Sequence, residues 1–257
     1  MEGKKEVAIE PSDMLEYGKK LRKLPAVRVG RVCIGCFESR ILKKLVEKTG
    51  AVREENWIDN RLYTFSMKGE IISIRKFDWG APAAVHNLEL LIAAGARYFI
   101  VFGGAGAIQE DLKPGDLVIA TRAIRDEGTS YHYLPPSRFV DASAMVIEAL
   151  KEACRVSNAD YREGTVWTTD AIFRERRDVL ERYKSWGVLA CEMEAAALYA
   201  VSKFRGVEAG VLLYISDSIA GDKWTPFFVD ETVLRSIDVG VDITIRTAGI
   251  LLDKITR

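Results

Sequence analysis

One α/β domain, with a mixed central sheet and helices on both faces, is the fold class this sequence predicts, and three observations carry the prediction. Apolar runs of strand length alternate with amphipathic stretches of helical length from about residue 31 onward. Polar and glycine residues gather where the predicted strands finish. No Gly/Ser linker, internal repeat or low-complexity tract interrupts the alternation, so residues 1–257 read as a single domain, with residues 1–28 as an N-terminal extension. With 257 residues, 48% of them apolar and 29% charged, the chain can bury a sizeable core.

The elements follow in order. Residues 31–36 read as a strand and residues 39–49 as a helix, with Ile41, Leu42, Leu45 and Val46 at helical spacing and Gly50 as its stop. Residues 62–67 and 71–77 flank Lys68-Gly69-Glu70, a hairpin signal. Residues 81–96 are helical and 98–102 a buried strand. The strand 117–124 is entered through the turn Lys113-Pro114-Gly115-Asp116. A long loop, 125–141, carries His132 between Tyr131 and Tyr133, a loop-packing or interface position more than a catalytic one. Helix 142–157, strand 161–168, helix 175–186, strand 187–191, helix 193–204, strand 207–215 and a final helix 229–254 complete the alternation.

Composition excludes several functions. Lysine plus arginine equal aspartate plus glutamate at 37 each, so no general field attracts nucleic acid or an anionic membrane, and any anion must be bound locally. The longest uncharged run, residues 98–109, is far short of the roughly 20 residues of a membrane helix. The N-terminus offers no apolar segment suited to a signal peptide, so a cytoplasmic protein is expected. Cys33 and Cys36 have the spacing of a redox motif or half a zinc site, but no second pair exists and His86 and His132 lie far off in sequence. Small thiols on a buried strand are the simpler expectation, and no metal is expected.

In such sheets ligands collect beyond the carboxyl ends of the strands. That directs attention to residues 35–40, 79–82, 103–106, 168–170, 192–194 and 216–217. Gly103, Gly104 and Gly106 could let backbone N–H groups approach an anion or sugar, or serve a purely steric turn; they fit neither the dinucleotide fingerprint nor the P-loop. Glu192 and Glu194 suit a helix N-terminus, and equally a grip on two neighbouring hydroxyls, with Met193 as an apolar surface beneath a sugar ring. Asp217, ending an apolar strand, is either a turn former or a general acid for a leaving group.

The ordered set Gly103-Gly104-Ala105-Gly106-Ala107-Ile108, Pro114-Gly115-Asp116-Leu117-Val118, Thr168-Thr169-Asp170-Ala171, Glu192-Met193-Glu194-Ala195-Ala196 and Ile215-Ser216-Asp217 resembles the nucleoside phosphorylase family. The branch is that of hexameric purine nucleoside phosphorylase, uridine phosphorylase and the methylthioadenosine nucleosidases. The resemblance implies a phosphorylase/hydrolase-like domain whose sheet is partly barrel-like. It also implies a homo-oligomer, a dimer or a hexamer built as a trimer of dimers, with the site near a subunit interface. The ligands implied are a nucleoside and, as co-substrate, phosphate; no further cofactor is implied.

By the same resemblance Glu194, Met193 and Glu192 would hold ribose, and Ile172 and Phe173 would stack on the base; Trp79, which replaces the family's methionine-containing glycine turn, either lines the ribose pocket or is a core or interface tryptophan. Asp217 would protonate the departing purine, and Gly35, Arg40, Gly103, Gly104 and Ala105 would hold phosphate. Aspartate at 217, and no glutamine in the segment 174–178, favour purine over uridine. Arg40 stands where the nucleosidases place a glutamate that activates water; an arginine cannot be a base at neutral pH but can bind phosphate with two N–H groups, so phosphorolysis is expected. The phosphate pattern is incomplete, because Val101 and Gly104 replace an arginine and a hydroxyl residue, and Arg53 or Arg61 would have to come from a neighbour. Hydrolysis with Glu38 as base is the alternative within the family, and a non-catalytic nucleoside-binding oligomer the one outside it. Trp224, Phe227 and Phe228 either cap the site or start the last helix.

Overall fold

A computed structural model of the chain describes residues 7–22 and 27–256. Among these residues lie the strands β1 (Val32–Cys36), β2 (Val52–Arg53), β3 (Leu62–Met67), β4 (Glu70–Lys76), β5 (Tyr98–Ala107), β6 (Leu117–Asp126), β7 (Phe139–Asp141), β8 (Arg162–Thr169), β9 (Ala190–Glu192), β10 (Glu208–Ser218) and β11 (Thr225–Pro226). The helices are α1 (Pro11–Arg22), α2 (Ser39–Thr49), α3 (Ala81–Ala93), α4 (Ala144–Val156), α5 (Arg177–Ser185), α6 (Ala195–Arg205) and α7 (Glu231–Ile255).

All the strands join one sheet, and its inner part closes on itself. Strand β10 runs parallel to β5 along nearly its whole length and antiparallel to β6 over Val211–Tyr214. Strand β8 is parallel to both β6 and β9, and β9 is antiparallel to β5. The ring β5, β9, β8, β6, β10 is therefore a small barrel, while β1, β4, β3 and β2 extend from β5 as an open wing. Closure leaves these five strands without an unpaired edge, as a barrel requires. The partly barrel-like sheet implied by resemblance is what the register shows.

Strand side chains alternate between two cores, as a period of two dictates. Val32, Ile34 and Cys36 enter the core under α2, α4 and α7, while Cys33 enters the one under α3 and α6. The two thiols of the CxxC thus point to opposite faces and cannot bridge or share a metal, and burial pushes the Cys33 thiol up to about 12. A smaller cluster around Trp167, Leu180 and Tyr183 seats α5. Gly50 ends α2 in the left-handed conformation at φ 66°, its N–H donating to the Val46 carbonyl, as the sequence predicts.

Several boundaries differ from the sequence expectation. The N-terminal extension contains α1, whose Leu15 is buried against the core that α3 covers; residues 1–6 and 23–26 of that extension lie outside the described residues. Strand β5 does not stop at Phe102 but runs through the glycines to Ala107, because β10 pairs with it there. The stretch expected as loop 125–141 includes a short 3-10 turn, Thr129–His132, and β7. Buried Arg125 organises it, donating to the Ser130 hydroxyl and to the carbonyls of Leu134 and Pro135. Helix α6 begins at Ala195 rather than 193, so Glu192 closes β9 and Glu194 stands at the helix N-cap instead of inside the first turn.

Candidate active site

At the carboxyl ends of β5, β9 and β10, where the topology places ligands, lies a cavity of about 720 Å³. Its lining includes Arg40, Trp79, Gly104, Ala105, Ile172, Phe173, Glu192, Met193, Glu194 and Asp217, ten of the predicted positions scattered from residue 40 to residue 217.

A β-bulge aims Asp217. Ile215 pairs with Ala105 and Asp217 with Gly106, so Ser216 is an extra residue in β10. Tyr214 and Ser216 face the cavity by strand alternation, and the bulge turns the next residue, Asp217, the same way. Ser216 donates its hydroxyl to Asp217 Oδ1 at 2.7 Å, and Trp224 donates its indole N–H to Oδ2 at 2.8 Å. The glycines of β5 are explained here: a Cβ at Gly104 would lie 3.0 Å from the Ser216 hydroxyl, and one at Gly106 would lie 3.0 Å from Asp217 Oδ2. Their absent side chains make the room that the β10 side chains occupy.

The paired glutamates differ in their duties. Glu192 Oε2 accepts the N–H groups of Glu194 and Ala195, both at 2.7 Å, and Oε1 accepts the Thr168 hydroxyl. Thr168 in turn accepts the Ala196 N–H at 3.0 Å. Glu192 therefore closes the start of α6 as well as lining the cavity. Glu194 accepts the N–H of Gly80 at 2.6 Å, and Gly80 holds φ 88°, a conformation that glycine adopts without strain. Burial pushes both carboxyls above the ordinary glutamate range, and the neighbouring Glu192 charge raises Glu194 further. Three donors favour the ionised form of Glu192, so Glu194 is the member that keeps a proton more readily. Trp79, next to Gly80, is 71% exposed at the cavity rim.

Elsewhere on the lining Arg40 is held by two side chains and one carbonyl. Its Nε donates to Glu38 at 2.5 Å, one terminal nitrogen to the Tyr214 hydroxyl at 2.8 Å and the other to the Phe228 carbonyl at 2.7 Å. Tyr214 donates its hydroxyl to Glu38. Burial and the facing carboxylate push that phenol far above its ordinary value, so it stays a donor. A guanidinium has five N–H groups, and these contacts engage three.

Apolar walls are supplied by Ile172, Phe173, Trp224 and Phe228, the first two on a 3-10 turn, Ile172–Arg174. Phe173 is 93% exposed, and the Trp224 and Phe228 rings lie 6.0 Å apart. Glu175 also lines this part, accepting the Cys191 thiol at 3.3 Å; burial raises its carboxyl. Arg177 ties down the segment after β10 by donating to the carbonyls of Ile219, Gly221 and Asp222.

Two predicted positions are not in the lining. Gly35 is inside β1, where a Cβ would lie 3.2 Å from Val101 and 3.3 Å from Phe77; Gly103 makes room for Phe37, 2.9 Å from where its Cβ would be. Arg61 is bound to Asp78 and Arg53 to Glu55, both within the chain. Phe37, Tyr214, Glu175 and Cys191 are cavity residues to which the sequence assigned no role, since Tyr214 and Cys191 look like ordinary strand residues.

Known proteins share the sequence pattern and the fold of this chain. Residues 32–244 match the family model described as the phosphorylase superfamily. A purine nucleoside phosphorylase of the DeoD type from Bacillus cereus is 30% identical over 187 residues, which cover 72% of this chain and 80% of that one. The corresponding protein of Bacillus thuringiensis is similar to the same extent. A crystal structure of uridine phosphorylase from Vibrio fischeri superposes with a TM-score of 0.75 at 23% identity, covering 86% of this chain and 92% of that one, and shows the same fold. By the family match and the Bacillus relatives, this chain belongs to the phosphorylase superfamily.

Proposed function

We propose that the protein is a nucleoside phosphorylase that cleaves the N-glycosidic bond of a purine nucleoside with phosphate, giving free base and ribose 1-phosphate. One observation carries this: a single cavity joins a buried glutamate pair, a carboxyl held between two donors at a bulge, and an arginine with N–H groups to spare. Glu194, with Met193, grips the ribose hydroxyls; Asp217 gives a proton to the imidazole nitrogen of the leaving purine; Arg40 holds phosphate on the far side of the sugar. Protonating the base and steadying the cationic sugar both strengthen toward the transition state, which is what accelerates the reaction. Ile172 and Phe173 stack on the base. The Bacillus relatives carry purine nucleoside phosphorylase names, which supports the purine assignment alongside Asp217.

The proposed setting is the cytoplasm, in nucleoside salvage, and the proposed assembly is a homo-oligomer. Four free buried cysteines suit a reducing compartment, and exposed Trp79 and Phe173 at the cavity rim suit cover by a second copy. A hydrolytic reading has one observation in its favour: Glu38, a carboxylate, already occupies one edge of Arg40. Incubation with inosine, guanosine, adenosine and uridine, with and without phosphate, decides. Base release from purine nucleosides only with phosphate is expected; release without phosphate means hydrolysis, and release from uridine alone reverses the base assignment.

A further inference from the structure

The anion end of the cavity pairs its one arginine with a carboxylate. Glu38 contacts Arg40 at 2.5 Å, both touch Tyr214, and all three line the same cavity. Glu38 has a side chain only 19% exposed, and it stays within reach of whatever Arg40 binds. The cavity as a whole is acidic: Glu38, Glu175, Glu192, Glu194 and Asp217 face two guanidiniums, those of Arg40 and Arg177. An anion entering here meets an acceptor-only group beside its cation.

We infer that Glu38 makes this site selective for oxyanions that carry a proton. At neutral pH inorganic phosphate and arsenate retain at least one O–H, which can donate to Glu38 while their other oxygens accept from Arg40. Sulfate has no proton, so its oxygens would face the carboxylate lone pairs without a hydrogen between them, a repulsive contact that rejects it. Tyr214, kept protonated, fixes Glu38 in place by donating to it, and Gly104 leaves room for the phenol, which a Cβ there would approach to 3.2 Å. The inference rests on phosphate being the co-substrate, and it adds what discriminates phosphate from an anion of the same size.

The test compares wild type, Glu38→Gln and Tyr214→Phe by isothermal titration with inorganic phosphate and with sulfate, and by base release with sulfate as competitor. Wild type should bind phosphate at least about tenfold more tightly than sulfate, as expected where an acceptor meets a ligand with nothing to donate. Glu38→Gln, which offers an N–H to a bare oxygen, should bring the two anions within about threefold of each other, chiefly by strengthening sulfate. Tyr214→Phe removes the hydroxyl that holds Glu38 but keeps the Glu38–Arg40 pair, so it should narrow the phosphate preference less than Glu38→Gln does. Equal binding of both anions by wild type, or an unchanged ratio in Glu38→Gln, overturns the inference while leaving phosphorolysis standing. Base release without phosphate, together with no binding of either anion, removes the phosphorylase reading and the inference with it.

Discussion

The two ends of the cavity are built from different materials. In the proposed sugar-binding part, Glu192 and Glu194 are 7% and 8% exposed and are held by backbone N–H groups of the α6 start and of Gly80. In the proposed anion-binding part, Arg40 is about one third exposed and is held chiefly by two side chains, Glu38 and Tyr214. Backbone donors move only if secondary structure moves, whereas side-chain partners can exchange. The proposed sugar grip is thus tied to the starts of α6 and α3, and the proposed anion grip is an arrangement that single substitutions can retune.

Substitutions can break or sharpen that contrast. The largest loss belongs to the proposed acid: Asp217→Asn should cut turnover of purine nucleosides by about 10²–10⁴, the range for a general acid, with stability changed by less than about 1 kcal/mol. Turnover within threefold of wild type would remove Asp217 from the chemistry. Next, Arg40→Ala should raise the phosphate KM by about 10–100-fold, the scale of a lost charge-assisted contact, while the nucleoside KM stays put. A parallel rise in both would mean that the ends are not separate.

Glu194→Gln tests the sugar end in two ways. The nucleoside KM should rise about tenfold, because a neutral amide accepts more weakly from the ribose hydroxyls. The fold should become more stable at neutral pH. Burial raises the Glu194 carboxyl in the folded chain, so ionising it costs stability, a cost absent below the ordinary glutamate pKa and growing as pH rises toward the raised one. Each kcal/mol recovered by the amide is worth roughly 2–4 °C in melting temperature, and the gain should vanish near pH 4. A lower melting temperature at neutral pH would contradict the buried-charge account. In wild type the same shift predicts that nucleoside KM rises as pH falls through the raised Glu194 pKa, well above the ordinary glutamate range, as the carboxylate takes up a proton. Smallest, and outside both ends, Cys33→Ser should leave turnover unchanged and cost about 1–3 kcal/mol, since a fully buried hydroxyl replaces a thiol. Lost turnover with intact folding would give the CxxC a function.

The same contrast explains what the sequence disclosed. The alternation of elements and the signals Glu192-Met193-Glu194 and Ser216-Asp217 were legible because each lies at a strand end, where polar residues stand out from apolar ones. Gly103, Gly104 and Gly106 read as a ligand loop or a steric turn, since local pattern cannot register that β10 pairs across them and fills the space they leave. Tyr214 was hidden for a related reason: inside Val211–Ile215 it looks like one more strand residue, and only the closed barrel shows that its hydroxyl reaches Glu38. The bulge at Ser216 depends on long-range register and leaves no local mark. Helix α1 escaped notice because its exposed Met14, Tyr17 and Leu21 blur the one-sided pattern of a surface helix.

The central claim, that this cavity passes a ribosyl group from a purine to phosphate, is tested most directly by identifying the sugar product. Guanosine or inosine turned over in phosphate buffer and followed by phosphorus NMR should yield a sugar 1-phosphate in step with free base. Free ribose with an unchanged phosphate signal would contradict the account and transfer the nucleophile's role to water.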